Sequence, residues 1–131
     1  MFPDRVVMWG DGSAFRELMH SDDLADACVY LMNTKDAAQV GELVNVTDGS
    51  DIQLCELFET IRTVVGFKGL VEYDTSKPNE TPRKLMDSTH MKKLGWMPKI
   101  GLSDGIRRYY SWYQSDGADS LCSKAASFTG K

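Results

Sequence analysis

Tyr73-Asp74-Thr75-Ser76-Lys77 has the spacing Y-x-x-x-K, in which a lysine lowers the pKa of a tyrosine that protonates a carbonyl oxygen. That chemistry needs both side chains on one helix face. Tyr73 instead closes a run of strand character, and Lys77 precedes Pro78, which pushes it out of helical geometry; the match is a coincidence of spacing. His20 with Asp22 and Asp23 offers one imidazole and two carboxylates, no tetrahedral metal set, and the carboxylates suit the first turn of a helix better. Cys55 has no nearby histidine to act as its base. The eleven glycines complete neither the G-x-G-x-x-G turn that seats a dinucleotide pyrophosphate nor a phosphate-cradling P-loop. Nothing in the chain carries out a reaction unaided, so binding is the chemistry to look for.

Charge narrows what is bound. The net charge is −4, which argues against nucleic acid and against anionic membranes. That total hides a split: residues 1–59 carry −9 and residues 60–131 carry +5. Six Lys/Arg lie between Lys77 and Lys99 against only Glu80 and Asp87, a local cationic stretch suited to a small anion rather than a polymer. On charge alone the same stretch reads better as a solvated face with flexible lysines.

The elements that must carry these residues follow from periodicity. Arg5–Trp9 reads as a strand ending in the turn Gly10-Asp11-Gly12-Ser13, and Phe15–Met19 alternates like a half-exposed strand; the two are placed to form a hairpin. Ser21 is expected to cap a helix with Leu24, Ala27, Cys28, Leu31 and Met32 on its buried face. Leu43–Val46 is a further short strand, and Asp51 caps a helix through Leu54, Leu57, Phe58, Ile61, Val64 and Val65 that stops at Gly66. Leu70–Tyr73 is a strand; Pro78 and Pro82 make 74–83 a loop; Ser88–Leu94 and Leu102–Gln114 are helices. The order β-β-α-β-α-β-α-α predicts an α/β domain with a small, partly parallel sheet and flanking helices over residues 1–114, followed by a frayed polar tail at 115–131.

A chain of 131 residues, 42% apolar and 26% charged, is the size of one ordinary globular domain with one core. No apolar stretch approaches the ~18 residues of a membrane span. Cys28, Cys55 and Cys122 cannot all pair and form no C-x-x-C, which leads to the expectation of a reduced, cytoplasmic protein.

Three stretches carry a family resemblance. Trp9-Gly10-Asp11-Gly12 with Arg16-Glu17-Leu18-Met19-His20-Ser21-Asp22-Asp23 resembles the W-G-x-G…R-E-F-x-H-V-D-D segment of the extended short-chain dehydrogenase/reductases. Lys77-Pro78-Asn79-Glu80-Thr81-Pro82-Arg83-Lys84-Leu85-Met86-Asp87 resembles the K-P-D-G-T-P-R-K-L-L-D loop of the GDP-L-fucose synthases, and Leu94-Gly95-Trp96 with the Leu102–Tyr113 helix continues the match. The resemblance runs from about Val6 to Tyr113 and departs from the family at Asn79-Glu80, which stands for Asp-Gly, and at Ser21, which stands for valine.

It implies the C-terminal, substrate-binding portion of an NADPH-dependent epimerase/reductase without its Rossmann domain. The cofactor and the catalytic Ser-Tyr-Lys set would then lie elsewhere, with NADP(H) bound by the complete enzyme and no cofactor in this chain. Of the implied substrate contacts, Arg16 would reach the nucleotide diphosphate, Lys84 would add positive charge, and Trp9 would line the sugar-nucleotide cleft. Arg83 and Asp87 are secondary candidates, read as a neighbouring pair that sets the loop. The implied partners are a GDP-sugar and a Rossmann-type cofactor domain, with self-association through apolar surface left uncovered. Two rival readings are the substrate domain of a UDP- or dTDP-sugar epimerase or dehydratase, and a non-catalytic binding or assembly module.

Overall fold

A computed structural model describes residues 4–79 and 81–117; Glu80, Cys122 and the expected tail beyond residue 117 lie outside the described residues. Two small sheets organise the chain. β1 (Arg5–Trp9) runs parallel to β4 (Leu70–Asp74), with Arg5 opposite Leu70 and Trp9 opposite Asp74. The second sheet has the order β3-β2-β5, where β2 is Phe15–Arg16, β3 is Ile52–Gln53 and β5 is Arg83–Lys84. β2 pairs antiparallel with β3 and parallel with β5.

The expected hairpin does not form, because β1 and β2 enter different sheets. Gly10 and Gly12, both at positive φ, turn the chain sharply between them. The second of these turns is then held by the helix behind it. Leu54 and Cys55 donate their amides to the carbonyls of Ala14 and Gly12, at 2.9 and 3.0 Å. Those two amides open α3 (Leu54–Val65), whose N-cap is Gln53 and makes no side-chain cap bond, so backbone carbonyls take the place expected of Asp51. Gly66 closes α3 in the left-handed conformation, as its sequence position requires.

α1 (Ser21–Thr34) is capped by His20, not Ser21; the ring nitrogen Nδ1 accepts the Asp22 amide. Its buried face is Asp23, Ala27 and the half-buried Tyr30 and Leu31, whereas Leu24, Cys28 and Met32 are exposed. The helix is apolar on more than one side, and only one side is covered. A short α2 (Ala37–Val40) follows, begun by a reciprocal capping box between Asp36 and Gln39. Leu43–Val46 is not a strand; Val44 and Val46 instead pack on the core of Ala27, Met91 and Trp96. Met91 belongs to α4 (Thr89–Lys93), and Trp96 follows the positive-φ Gly95.

Polar bonds tie α1 to the segment after α4. Tyr30 donates its hydroxyl to the Leu94 carbonyl at 2.8 Å, and Trp96 donates Nε1–H to Asp26 at 2.8 Å. α5 (Leu102–Trp112) packs on α3 and runs on into a π turn, Tyr113–Gly117, three residues past the expected helix end.

Candidate functional site

The shortest strands carry the candidate cations. In the parallel β2–β5 ladder Phe15 stands opposite Arg83 and Arg16 opposite Lys84. Side chains alternate faces along a strand, so Arg16 and Lys84 share one face and Phe15 and Arg83 the other. Two residues 68 positions apart in the sequence thus become neighbours, with like charge. The half-buried Arg16 also donates Nη1–H to its own strand at the Phe15 carbonyl, 2.6 Å, and to the Thr81 carbonyl, 2.8 Å. Lys84 is exposed.

The opposite face is structural. Arg83 donates Nε–H and Nη2–H to the two oxygens of Asp51, at 2.5 and 3.0 Å, and its guanidinium lies 5.5 Å from the Phe15 ring centroid. The bond to Asp51 raises the Arg83 pKa further above its ordinary range. Arg83 therefore pairs with Asp51 and not with Asp87. Asp87 instead takes the Thr89 amide at 2.8 Å at the start of α4, and hydrogen bonds from Thr89 pull its pKa down.

The loop between β4 and β5 is stitched back along its length. Lys77 Nζ sits 5.7 Å over the ring of Trp9, which is 74% exposed at the end of β1 and so is no core aromatic. Asn79 Oδ1 accepts the Asp11 amide at 3.0 Å, close enough to Gly10 that a Cβ there would collide with it. Pro82 accepts the Phe15 amide at 2.8 Å. Glu17 completes the frame: its two oxygens accept the amides of Gly49, at 2.7 Å, and Met86, at 3.1 Å. Bonds from Ser13, hydroxyl first and amide second, with help from Asn79, hold the Asp11 carboxyl down at about 2.

Trp9, Arg16 and Lys84 are thus linked by one loop, while Arg83 and Asp87 act within the scaffold. Sequence reasoning did not identify Asp51, Asn79 or Glu17 as part of this frame. The one available signal was the strict alternation around Glu17; nothing local pairs Asp51 with Arg83.

The remaining polar candidates are engaged elsewhere. His20 is a helix cap, and Asp23 binds the amides of Lys99 and Ile100. Among the described residues no three His, Cys, Asp or Glu side chains gather as metal ligands. Tyr73 lies in a strand with its pKa raised, first by burial and then by Cys55 and Glu59, the reverse of what proton donation to a carbonyl needs. An apolar hollow of about 670 Å³ opens between α3, α5 and the Leu18–Ser21 segment, lined by Ile61, Val65, Ile106, Tyr109 and Tyr113 among others, and includes neither Arg16 nor Lys84. No helix among the described residues is long and apolar enough to cross a membrane.

Comparison with known proteins gives these residues a context. The NAD dependent epimerase/dehydratase family matches residues 3–47. Over most of its length the chain is strongly similar to GDP-L-fucose synthases. It is 54% identical to a putative GDP-L-fucose synthase 2 of Arabidopsis thaliana, over 84% of this chain and 33% of that protein. It is 41% identical to the GDP-L-fucose synthase of Escherichia coli (strain K12), over 85% of this chain and 36% of that protein. Among solved structures it superposes on a GDP-mannoheptose C4 reductase of Campylobacter jejuni with NADP bound. The TM-score is 0.76 and the identity 37%, over 85% of this chain and 35% of that one. The chain therefore spans about a third of the length of the relatives it matches, and its small mixed α/β fold is the fold of a third of such enzymes.

Proposed function

We propose that this chain is the nucleotide-sugar-binding portion of a GDP-L-fucose synthase-like, NADP-dependent epimerase/reductase, and that the Arg16–Lys84 pair holds the diphosphate of a GDP-sugar. One observation carries the reading: two cations from distant parts of the chain stand side by side on one face of the β2–β5 ladder. A planar guanidinium offers paired donors to phosphate oxygens, and the ammonium beside it adds a mobile point charge. Trp9, its ring exposed at the end of the neighbouring sheet, supplies a flat surface at the rim. The relatives' names support GDP over UDP or dTDP as the base.

The same reading assigns hydride transfer and epimerisation to a second, cofactor-binding lobe. Sixteen large apolar side chains stand exposed among the described residues against three buried ones, Leu57, Met91 and Trp96, which fits a lobe whose companion covers one side. The hollow between α3 and α5 and the bare side of α1 are the faces it would cover.

Titration of GDP, UDP and dTDP against the chain, with Arg16→Ala and Lys84→Ala beside it, tests the assignment. GDP should bind most tightly, and each substitution should weaken it. Equal binding by the unaltered and doubly substituted chains overturns the proposal. Mixed with NADPH and GDP-4-keto-6-deoxymannose, the chain alone should leave the NADPH unoxidised.

A further inference from the structure

The β2–β5 ladder is short for the task given to it. It is two residues long, and one of its two pairs sets Arg16 against Lys84, like charges directly opposed. The backbone on either side of β5 is held to the β2 segment through Pro82 and Met86, and the other face of the sheet adds a side-chain tie. Asp51 lies immediately before β3, on the far side of β2 from Arg83, so their bond crosses the central strand and ties the two outer strands together. Neighbouring strands lie about 4.8 Å apart, so the tie must bridge roughly twice that distance, a span that needs the long arginine side chain. The Phe15 ring packs beneath the guanidinium along that path. The Asp51 side chain is only 7% exposed, so the carboxylate end of the pair is covered while the Arg83 side chain, 61% exposed, reaches it from the surface.

We propose that Asp51 is a positioning residue for the anion site: by holding Arg83 across β2 it fixes β5 so that Lys84 stays in register beside Arg16. Of the two adjacent cations in β5, Arg83 is the anchor and Lys84 faces the ligand. This inference rests on the reading of Arg16 and Lys84 as the diphosphate contacts.

Calorimetric titration with GDP tests it on the full chain. Asp51→Asn should raise the dissociation constant about tenfold, as loosening of a charge-assisted contact does. Asp51→Glu, which keeps the carboxylate, should recover most of that loss. In a Lys84→Ala background Asp51→Asn should change GDP affinity little, because its influence passes through Lys84; a general structural role would weaken both backgrounds alike. Should Asp51→Asn alone fail to fold by circular dichroism, the double variant Asp51→Asn/Arg83→Gln leaves two neutral amides facing each other and is read in its place. Unchanged GDP affinity in the folded variant, or equal losses with and without Lys84, overturns the positioning role while leaving the GDP reading intact. Failure of the unaltered chain to bind GDP better than the Arg16→Ala/Lys84→Ala variant overturns both.

Discussion

The carboxylate of Asp23, 2% exposed, accepts the backbone amide of Ile100 at 2.9 Å while its other oxygen takes the amide of Lys99 at 3.1 Å. One side chain at the start of α1 thereby fixes where the chain turns into α5. Asp23→Ala strands two amides away from water and should cost about 2–3 kcal/mol of stability. Asp23→Asn keeps one acceptor and should cost about half as much. Urea denaturation of the two variants checks the ranking.

Lys84→Glu separates stability from binding. Opposite charges facing each other across a ladder are worth about 0.2–1 kcal/mol, so the ion pair with Arg16 should leave the fold as stable as before or slightly more so. GDP binding should drop at least tenfold, because the diphosphate now meets a carboxylate. A destabilised variant that still binds GDP would contradict the assignment of this face.

Acid should weaken the fold in a defined window. Asp11 is held at about 2 against an ordinary 3.8, chiefly by the Ser13 hydroxyl. Asp26 and Asp87 are also lowered, chiefly by hydrogen bonds from Lys99 and Thr89 respectively. Each group is more readily protonated in the unfolded chain, so its contribution is complete above the ordinary carboxyl value and lost as pH falls through the folded one. The unfolding temperature should be level above about pH 5 and decline from about pH 4 toward 2. Asp11→Asn should flatten the lowest part of that decline. The three carboxyls are solvent-exposed, so the change is modest and shrinks further in salt.

Uncovered apolar surface should drive self-association of the chain on its own. Light scattering at high concentration should give a dimer or larger species, and Tyr109→Glu, at the mouth of the α3–α5 hollow, should shift it toward monomer. A clean monomer from the unaltered chain would contradict this.

Local elements were legible in the sequence where local rules decide them. Arg5–Trp9, the helix ended by Gly66 and the strand at Leu70 follow from alternation, spacing and a glycine stop. Partners were not legible. A turn such as Gly10–Ser13 looks the same whether it joins a hairpin or hands the chain to a second sheet. The apolar run Leu43–Val46 says only that Val44 and Val46 will be covered, and Trp96 and Met91 cover them without a ladder. On α1 the apolar stripe pointed to Leu24, Cys28 and Met32, yet the polar Asp23 is the buried residue, because its burial is matched by two amides 76 and 77 positions away.

At the site, residue types were legible and their placement was not. Arg16 and Lys84 stand opposite each other in the β2–β5 ladder, although no local pattern brings them into register. Arg83, a secondary candidate expected beside Asp87, is turned by the strand's alternation to the other face, where Asp51 waits. The D-x-x-Q capping box at Asp36 was readable from sequence and passed over.

Trp96 is 3% exposed and hydrogen-bonded to Asp26, while Trp9 stands in solvent beneath the Lys77 ammonium. The two indoles therefore emit at different wavelengths, the enclosed one toward the blue and the wet one toward the red. Once the third tryptophan, the exposed Trp112, is replaced by phenylalanine, the chain carries a pair of optical reporters: loss of the blue component follows the collapse of the core, and quenching of the red one follows whatever arrives at the rim.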